Sequence, residues 1–242
     1  MIRLLYDGSF DGLLCALAAA LKQPQGQEIS LEPSAEAQIS FGDRLEYIET
    51  GADLSSKVYL RIEERFGEEI LKDFYSAFLF PGSEDLILQY LRLLICSQRP
   101  SGVLSHPALR ELEKRILRIR REVHRYKGFL RFRRLDGEMF YADYAPAFDI
   151  TSLLMPHFTR RFPDQKLIIH DIGRSFAGIY DGRRVLYTEL SSKPFPPSFS
   201  QEESALLWKQ YLHHLSIEER ANPRLQQNLM PKKYRKYITE MK

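Results

Sequence analysis

Long apolar runs and clustered thiols are both missing from this chain. No stretch approaches the roughly 18–20 consecutive apolar residues that a membrane span requires. The longest, over 13–21, is too short and follows Asp7 and Asp11. The opening residues lack the basic start, apolar block and small-residue cleavage site of a secretory leader, so a cytoplasmic protein is expected. There are two cysteines, Cys15 and Cys96, far apart in the sequence. Both fall on apolar helical faces, which predicts two buried thiols. Neither has the clustered Cys or His partners that a zinc site or an iron–sulfur cluster needs, so neither a metal nor a cofactor is expected in this chain. Gly8 and Gly12 are not followed by the Gly-Lys-Ser/Thr ending of a phosphate-binding loop. Internal repeats and low-complexity tracts are also absent.

What remains is a chain of 242 residues, rich in aliphatic and aromatic side chains. That length suffices for one large domain or two small ones with a real core. Residues 1–5 read as a strand. Tyr6-Asp7-Gly8-Ser9-Phe10-Asp11-Gly12 reads as a turn, and 13–21 as a helix capped by Ser9 or Asp11. Residues 22–36 read as loop or a short edge strand. Helices are expected over 54–66, 68–79, 83–97 and 107–127 from apolar residues at spacings of three and four. After Gly128 the period changes to two. Strands on either side of Asp136-Gly137, and again of Asp181-Gly182, carry the Asp-Gly hairpin signal. Between them lie a helix over 150–161, interrupted near Pro156, and a strand over 167–170. A Pro/Ser-rich linker over 191–199 leads to a last helix over 202–215. Strands in the middle with helices at both flanks predict an α+β fold, with a central antiparallel sheet and flanking helices. The division expected is a mostly helical region over 1–106 and a second over 107–242 holding the basic helix, sheet and C-terminal helix, with one compact domain as the alternative.

The net charge of +3 is too small to name a partner, so its distribution carries the reading. Residues 110–134 are dominated by Arg and Lys. Leu112, Ile116, Ile119 and Val123 mark a buried helical face, which leaves Arg118, Arg121 and Arg125 on a shared exposed one. Beyond Lys127, Arg131 and Arg133 alternate with Leu130 and Phe132 and are expected to face outward from a strand. A second cluster is His157, Arg160 and Arg161. A third is Lys232, Lys233, Arg235 and Lys236, interleaved with Tyr234 and Tyr237. Cations contact phosphates and exposed aromatics stack on bases, so these clusters point to nucleic acid. The bland alternative, a solvated helix face and a basic tail, weighs about as much on charge runs alone.

Candidate chemistry is thin. His170-Asp171 could form an acid–base pair, but reads more simply as a strand end followed by a turn at Gly173. Ser9 between Asp7 and Asp11 reads as a cap. His124 reads as a helix residue at the junction with the sheet.

Several segments together resemble one family. The run Glu122-Val123-His124-Arg125-Tyr126-Lys127-Gly128-Phe129-Leu130-Arg131-Phe132-Arg133 is similar to the signature of the family called "probable DNA metabolism protein". Further likenesses are the Tyr6–Gly12 opening, Pro156-His157-Phe158 with Arg160-Arg161-Phe162, Tyr180-Asp181-Gly182, and Met230-Pro231-Lys232-Lys233-Tyr234. The tail departs from the pattern: where relatives continue Tyr-Trp-Lys-Asn, this chain has Tyr234-Arg235-Lys236-Tyr237. The resemblance implies a setting beside a radical-SAM protein for DNA modification or repair, and kinship with a domain fused to uracil-DNA glycosylases. It implies no catalytic residue. The expectation is an accessory protein that binds DNA through Arg121, Arg125, Lys127, Arg131, Arg133, His157, Arg160, Arg161, Lys232, Lys233 and Tyr234. The alternative is a DNA-processing enzyme, glycosylase-like or nuclease-like, using His157, His170 or Asp171.

Overall fold

The computed structural model describes residues 1–24, 26–37, 42–96, 106–135, 138–194, 230–235 and 237–238. The fold is α+β and divides into two units, Met1–Arg120 and Arg121–Lys242. The division falls inside one long helix.

The first unit is built on β1 (Ile2–Tyr6), the middle strand of a three-stranded sheet. Its partners β2 (Ile29–Pro33) and β3 (Arg44–Tyr47) both run parallel to it. A parallel strand covered on both faces reads as a continuous apolar run, and Ile2, Leu4, Leu5 and Tyr6 are all buried. The polar exception is Arg3, whose guanidinium reaches Glu32 at 2.8 Å and Asp43 at 2.6 Å.

Helix α1 (Phe10–Lys22) crosses between β1 and β2. Its start is the Asp/Gly/Ser turn. Gly8 takes φ +83°, open to glycine without strain. Ser9 Oγ caps the helix by accepting from Gly12 N at 2.9 Å, and Asp7 Oδ1 accepts from Ser9 N and Oγ. A Cβ at Gly12 would collide with the Asp7 carboxylate and Thr50. This motif builds a turn and a cap. Helices α2 (Ala52–Phe66), α3 (Glu68–Phe78) and α4 (Glu84–Cys96) follow. The core gathers Leu13, Leu17, Phe74, Ile87 and Leu112, among others. Cys15 is buried, but Cys96 ends α4 and is exposed, contrary to the expectation of two buried thiols.

Helix α5 (Pro107–Phe129) carries the basic run. In the second unit it is followed by β4 (Arg133–Arg134), β5 (Met139–Tyr144), α6 (Thr151–Arg161), β6 (Lys166–Asp171), β7 (Phe176–Tyr180) and β8 (Val185–Glu189). Near the end of the described residues is a short helix, α7 (Lys232–Arg235). The sheet order is β4-β5-β6-β7-β8. It is mixed, not antiparallel as expected, because β5 and β6 run parallel with Asp143 opposite His170. A parallel pair needs a crossover, and α6 supplies it. This helix continues through Pro156 where an interruption was expected. It covers one face of the sheet so closely that a Cβ on Gly178 would meet Met155 Cγ at 2.7 Å.

Around the first Asp-Gly pair, Leu135 N donates to Met139 O, and β4 pairs antiparallel with β5. Residues 136–137 themselves lie outside the described residues, as does the helix expected over 202–215. At the second pair, Asp181 Oδ1 accepts from the backbone N–H groups of Arg183 and Arg184. The turn joins the antiparallel β7 and β8.

Candidate nucleic-acid interface

The site lies where the chain leaving α5 meets the end of α6. Val123, Tyr126 and Leu130 turn inward. Glu122 is also buried, and its two carboxylate oxygens each accept a backbone N–H at 3.1 Å, from Ala147 and Phe148. Glu122 thus holds the loop before α6 onto α5. Past α5 the chain is clamped by Phe132, whose ring lies 5.0 Å from Phe158 and 6.1 Å from Phe162, both at the end of α6.

This packing sets Lys127 beside His157, Arg160 and Arg161. The His157 imidazole is held below its ordinary pKa, first by partial burial and then by the fields of Lys127, Arg161 and Arg160. Among the described residues no acid forms an ion pair with any of these four groups. Arg160 and Arg161 are exposed, in the last turn of α6, where the helix dipole favours cations. Burial lowers a histidine pKa and neighbouring cations lower it further; an anion arriving here would be attracted by the three cations and would offset their effect on His157.

The other expected residues separate. Successive helical residues are about 100° apart, which puts Arg125 and Lys127 about 160° apart around α5. Arg121 is exposed and shares the Arg125 flank. The Arg125 guanidinium sits over the Tyr234 ring, 5.7 Å from its centroid. Arg121 and Arg125 on one side and Lys127 on the other therefore occupy two flanks of one helix. Arg131 is not on a strand. α5 runs on to Phe129, and Arg131 Nη1 donates to Gly128 O at 2.7 Å, capping a carbonyl at the helix end. Arg133 pairs with Asp143 at 3.0 Å and lies over the Tyr141 ring at 4.7 Å. That fixes its charge to the sheet.

Tyr234 is fully buried, 5.0 Å from Tyr126 and 5.3 Å from Phe129 between ring centroids. Its ring anchors α7 to α5 and is not available to stack on a base. Tyr237 is buried nearby, 6.4 Å from Tyr126. The backbone of Lys232 and Lys233 is thereby brought to the end of α5, while their side chains and Lys236 lie outside the described residues.

His170 and Asp171 point to different tasks. His170 is 1% exposed, and its Nδ1 shares a 2.8 Å hydrogen bond with the Tyr141 hydroxyl. Burial pushes its pKa below the ordinary value against the opposing pull of Asp143 and Asp171. Asp171 accepts from Gly173 N, Arg174 N and the Arg174 guanidinium. The carboxylate closes the turn at the strand end. Among the described residues no three His, Cys, Asp or Glu side chains gather as a metal ion would need, and no helix is long and apolar enough to cross a membrane. The Phe132 clamp and the Glu122 staple escaped sequence reading. Phe132 looked like a strand residue.

A family model for a domain of unknown function, DUF4130, matches residues 81–240, about two thirds of the chain. The chain belongs to this family. The DUF4130 region takes in α4, α5 and all but the last two residues of the second unit, and so contains the entire basic site; β1 to α3 precede it. No curated protein matches the chain. A crystal structure of an uncharacterized protein from Helicobacter pylori G27 is similar at 10% identity over 88% of this chain and 99% of that one. Its TM-score of 0.23 carries no argument about fold or function.

Proposed function

We propose that this DUF4130 protein binds nucleic acid as an accessory factor in DNA metabolism, working with a radical-SAM partner. The observation that supports DNA contact is the set Lys127, Arg160 and Arg161, whose positive fields meet at His157 and none of which is held in an ion pair among the described residues. Such a group gains most from phosphate, which replaces mutual repulsion with attraction and releases counterions. The likeness of residues 122–133 and 156–162 to the "probable DNA metabolism protein" family supports the setting and the partner. Arg121 and Arg125 offer a second basic flank on the other side of α5.

The enzyme reading draws less support, since the His170 side chain is buried in a hydrogen bond and Asp171 is tied into its turn. The test is a salt-titrated binding assay with labelled single- and double-stranded oligonucleotides, on the chain alone and copurified with its radical-SAM neighbour. Binding should fall log-linearly with salt, with a slope of about −0.9 per duplex phosphate contact or about −0.7 per single-strand contact. No binding at moderate salt, with the partner present, overturns the proposal.

A further inference from the structure

Helix α2 is amphipathic, yet it buries only part of its apolar surface. Ser55 and Ile62 are its buried residues, while Leu54 is 39% and Leu60 52% exposed. Together with the ends of α1 and α4 it encloses a groove of about 630 Å³ within the first unit. The floor is apolar, with Ala18, Val58, Ile62, Leu91 and Ile95 among its residues, and Leu21, Leu54 and Leu60 stand at the margins. The groove follows α2 from Leu54 to Phe66, about 18 Å at 1.5 Å per residue, which is a little over three turns of an opposing helix.

The rim is charged almost entirely with one sign. Lys22, Lys57, Arg61 and Arg65 border the groove, with Glu64 as the opposing acid. Among the described residues none of these four cations is held in an ion pair. An exposed apolar concavity of this kind marks an interaction surface. Its dimensions suit the mode in which an amphipathic helix lays anchors at i, i+3 or i+4, and i+7 into a groove. The rim then selects among helices. A cationic flank would be repelled, and an acidic flank would meet three cations spaced along α2 and one at the end of α1.

We infer that this groove is a docking site for an amphipathic helix of a partner protein, apolar on its inner face and acidic on its flanks. The site is independent of the basic surface proposed for DNA, which lies in the other unit, so either can fail without the other.

The test uses the full chain and two designed helical peptides of about 15 residues. Both carry Leu at i, i+4, i+7 and i+11; one has Glu and the other Lys at the flanking positions. Fluorescence anisotropy should show the Glu peptide binding at least tenfold tighter than the Lys peptide. In Arg61→Glu with Arg65→Glu the preference should invert. Leu54→Ser with Leu60→Ser should weaken the Glu peptide at least fivefold at a temperature where circular dichroism shows the variant fully folded. Backbone amide shifts on adding the Glu peptide should centre on α2. Equal affinity for both peptides, no binding of either, or shifts centred elsewhere would overturn the inference. So would concentration-dependent self-association, or binding to anionic phosphatidylserine vesicles, abolished by Arg61→Glu with Arg65→Glu while the Glu peptide fails to bind. Those outcomes would give the face to a second copy or to a membrane.

Discussion

The Arg133 guanidinium lies 3.0 Å from Asp143 Oδ1 and covers the ring of Tyr141. Arg133 is therefore a bond across the sheet, between β4 and β5. Arg133→Glu would set two carboxylates against each other. The expected result is a loss of about 2 kcal/mol of stability, the scale of a partly buried charged hydrogen bond, with DNA affinity unchanged while the protein is folded. Chemical denaturation and binding on the same sample check both halves. Unchanged stability with weakened binding would return Arg133 to the DNA surface.

Arg160 and Arg161 give the opposite expectation. Both are exposed and without a described ion pair, so reversing both should cost only the helix-end charge interaction, about 1–2 kcal/mol. If they touch duplex phosphates, Arg160→Glu with Arg161→Glu should weaken binding to every sequence and flatten the salt slope by about 1.8. An unaltered slope would remove them from the interface.

His157 supplies a pH signature. Its pKa is lowered in the free protein by burial and by three neighbouring cations, and bound phosphate should raise it. DNA affinity should therefore increase as pH falls through the neutral range, and His157→Gln should remove that increase. The stability effect has the opposite sense. A lowered folded pKa means that the unfolded chain binds the proton more readily, so stability is greatest above the ordinary histidine value near 6.5 and is lost as pH falls below it. Imidazole proton shifts, followed by NMR with and without oligonucleotide, decide the matter. A free-protein pKa at or above the ordinary value sinks this account.

Glu122 is a carboxylate with two backbone donors. Glu122→Ala would leave the N–H groups of Ala147 and Phe148 without it and should cost about 2–3 kcal/mol. Amide exchange at those two positions should accelerate well beyond the rest of the loop. Equal protection in the variant and the parent would show that the loop stands without this staple.

His170→Ala should likewise cost stability, about 2 kcal/mol or more, because it removes a buried ring and leaves the Tyr141 hydroxyl without that bond. A repair defect in cells with stability and DNA affinity intact would favour the enzyme reading.

Most of the helices were legible because each carries its own period. α3 and α4 place apolar residues at spacings of three and four, and the structure buries Leu71, Phe74, Ile87, Leu88 and Leu91 there. Strand β3, over Arg44–Tyr47, escaped notice because it is four residues long with Arg44 and Glu46 in it. Its partnership depends on β1, about 40 residues earlier, and local sequence carries no trace of that. The parallel register of β5 and β6 was hidden for the same reason, although α6 between them was visible. At the candidate site, charge was legible but direction was not. Arg121, Arg125 and Lys127 looked like one surface until the helical angle was set against actual neighbours, Tyr234 on one flank and His157 on the other. Tyr234 among lysines resembled a stacking residue, and only the core contributed by Tyr126 and Phe129 explains why it is buried.

The position of β6 has a consequence for the order in which the chain can fold as it leaves the ribosome. β6 pairs with β5 on one side and β7 on the other, and the first of those pairings spans the whole of α6. The ribbon of β4 and β5 emerges first, and two strands alone are at best marginally stable in water. It must wait until about 27 further residues have been synthesised before β6 can close the crossover, and long-range closures of this kind are slow. During that interval the edge of β5 is open to pairing with other chains. Nascent or truncated forms ending before Asp171 should therefore aggregate, whereas forms extending through Tyr180 have both neighbours of β6 in place.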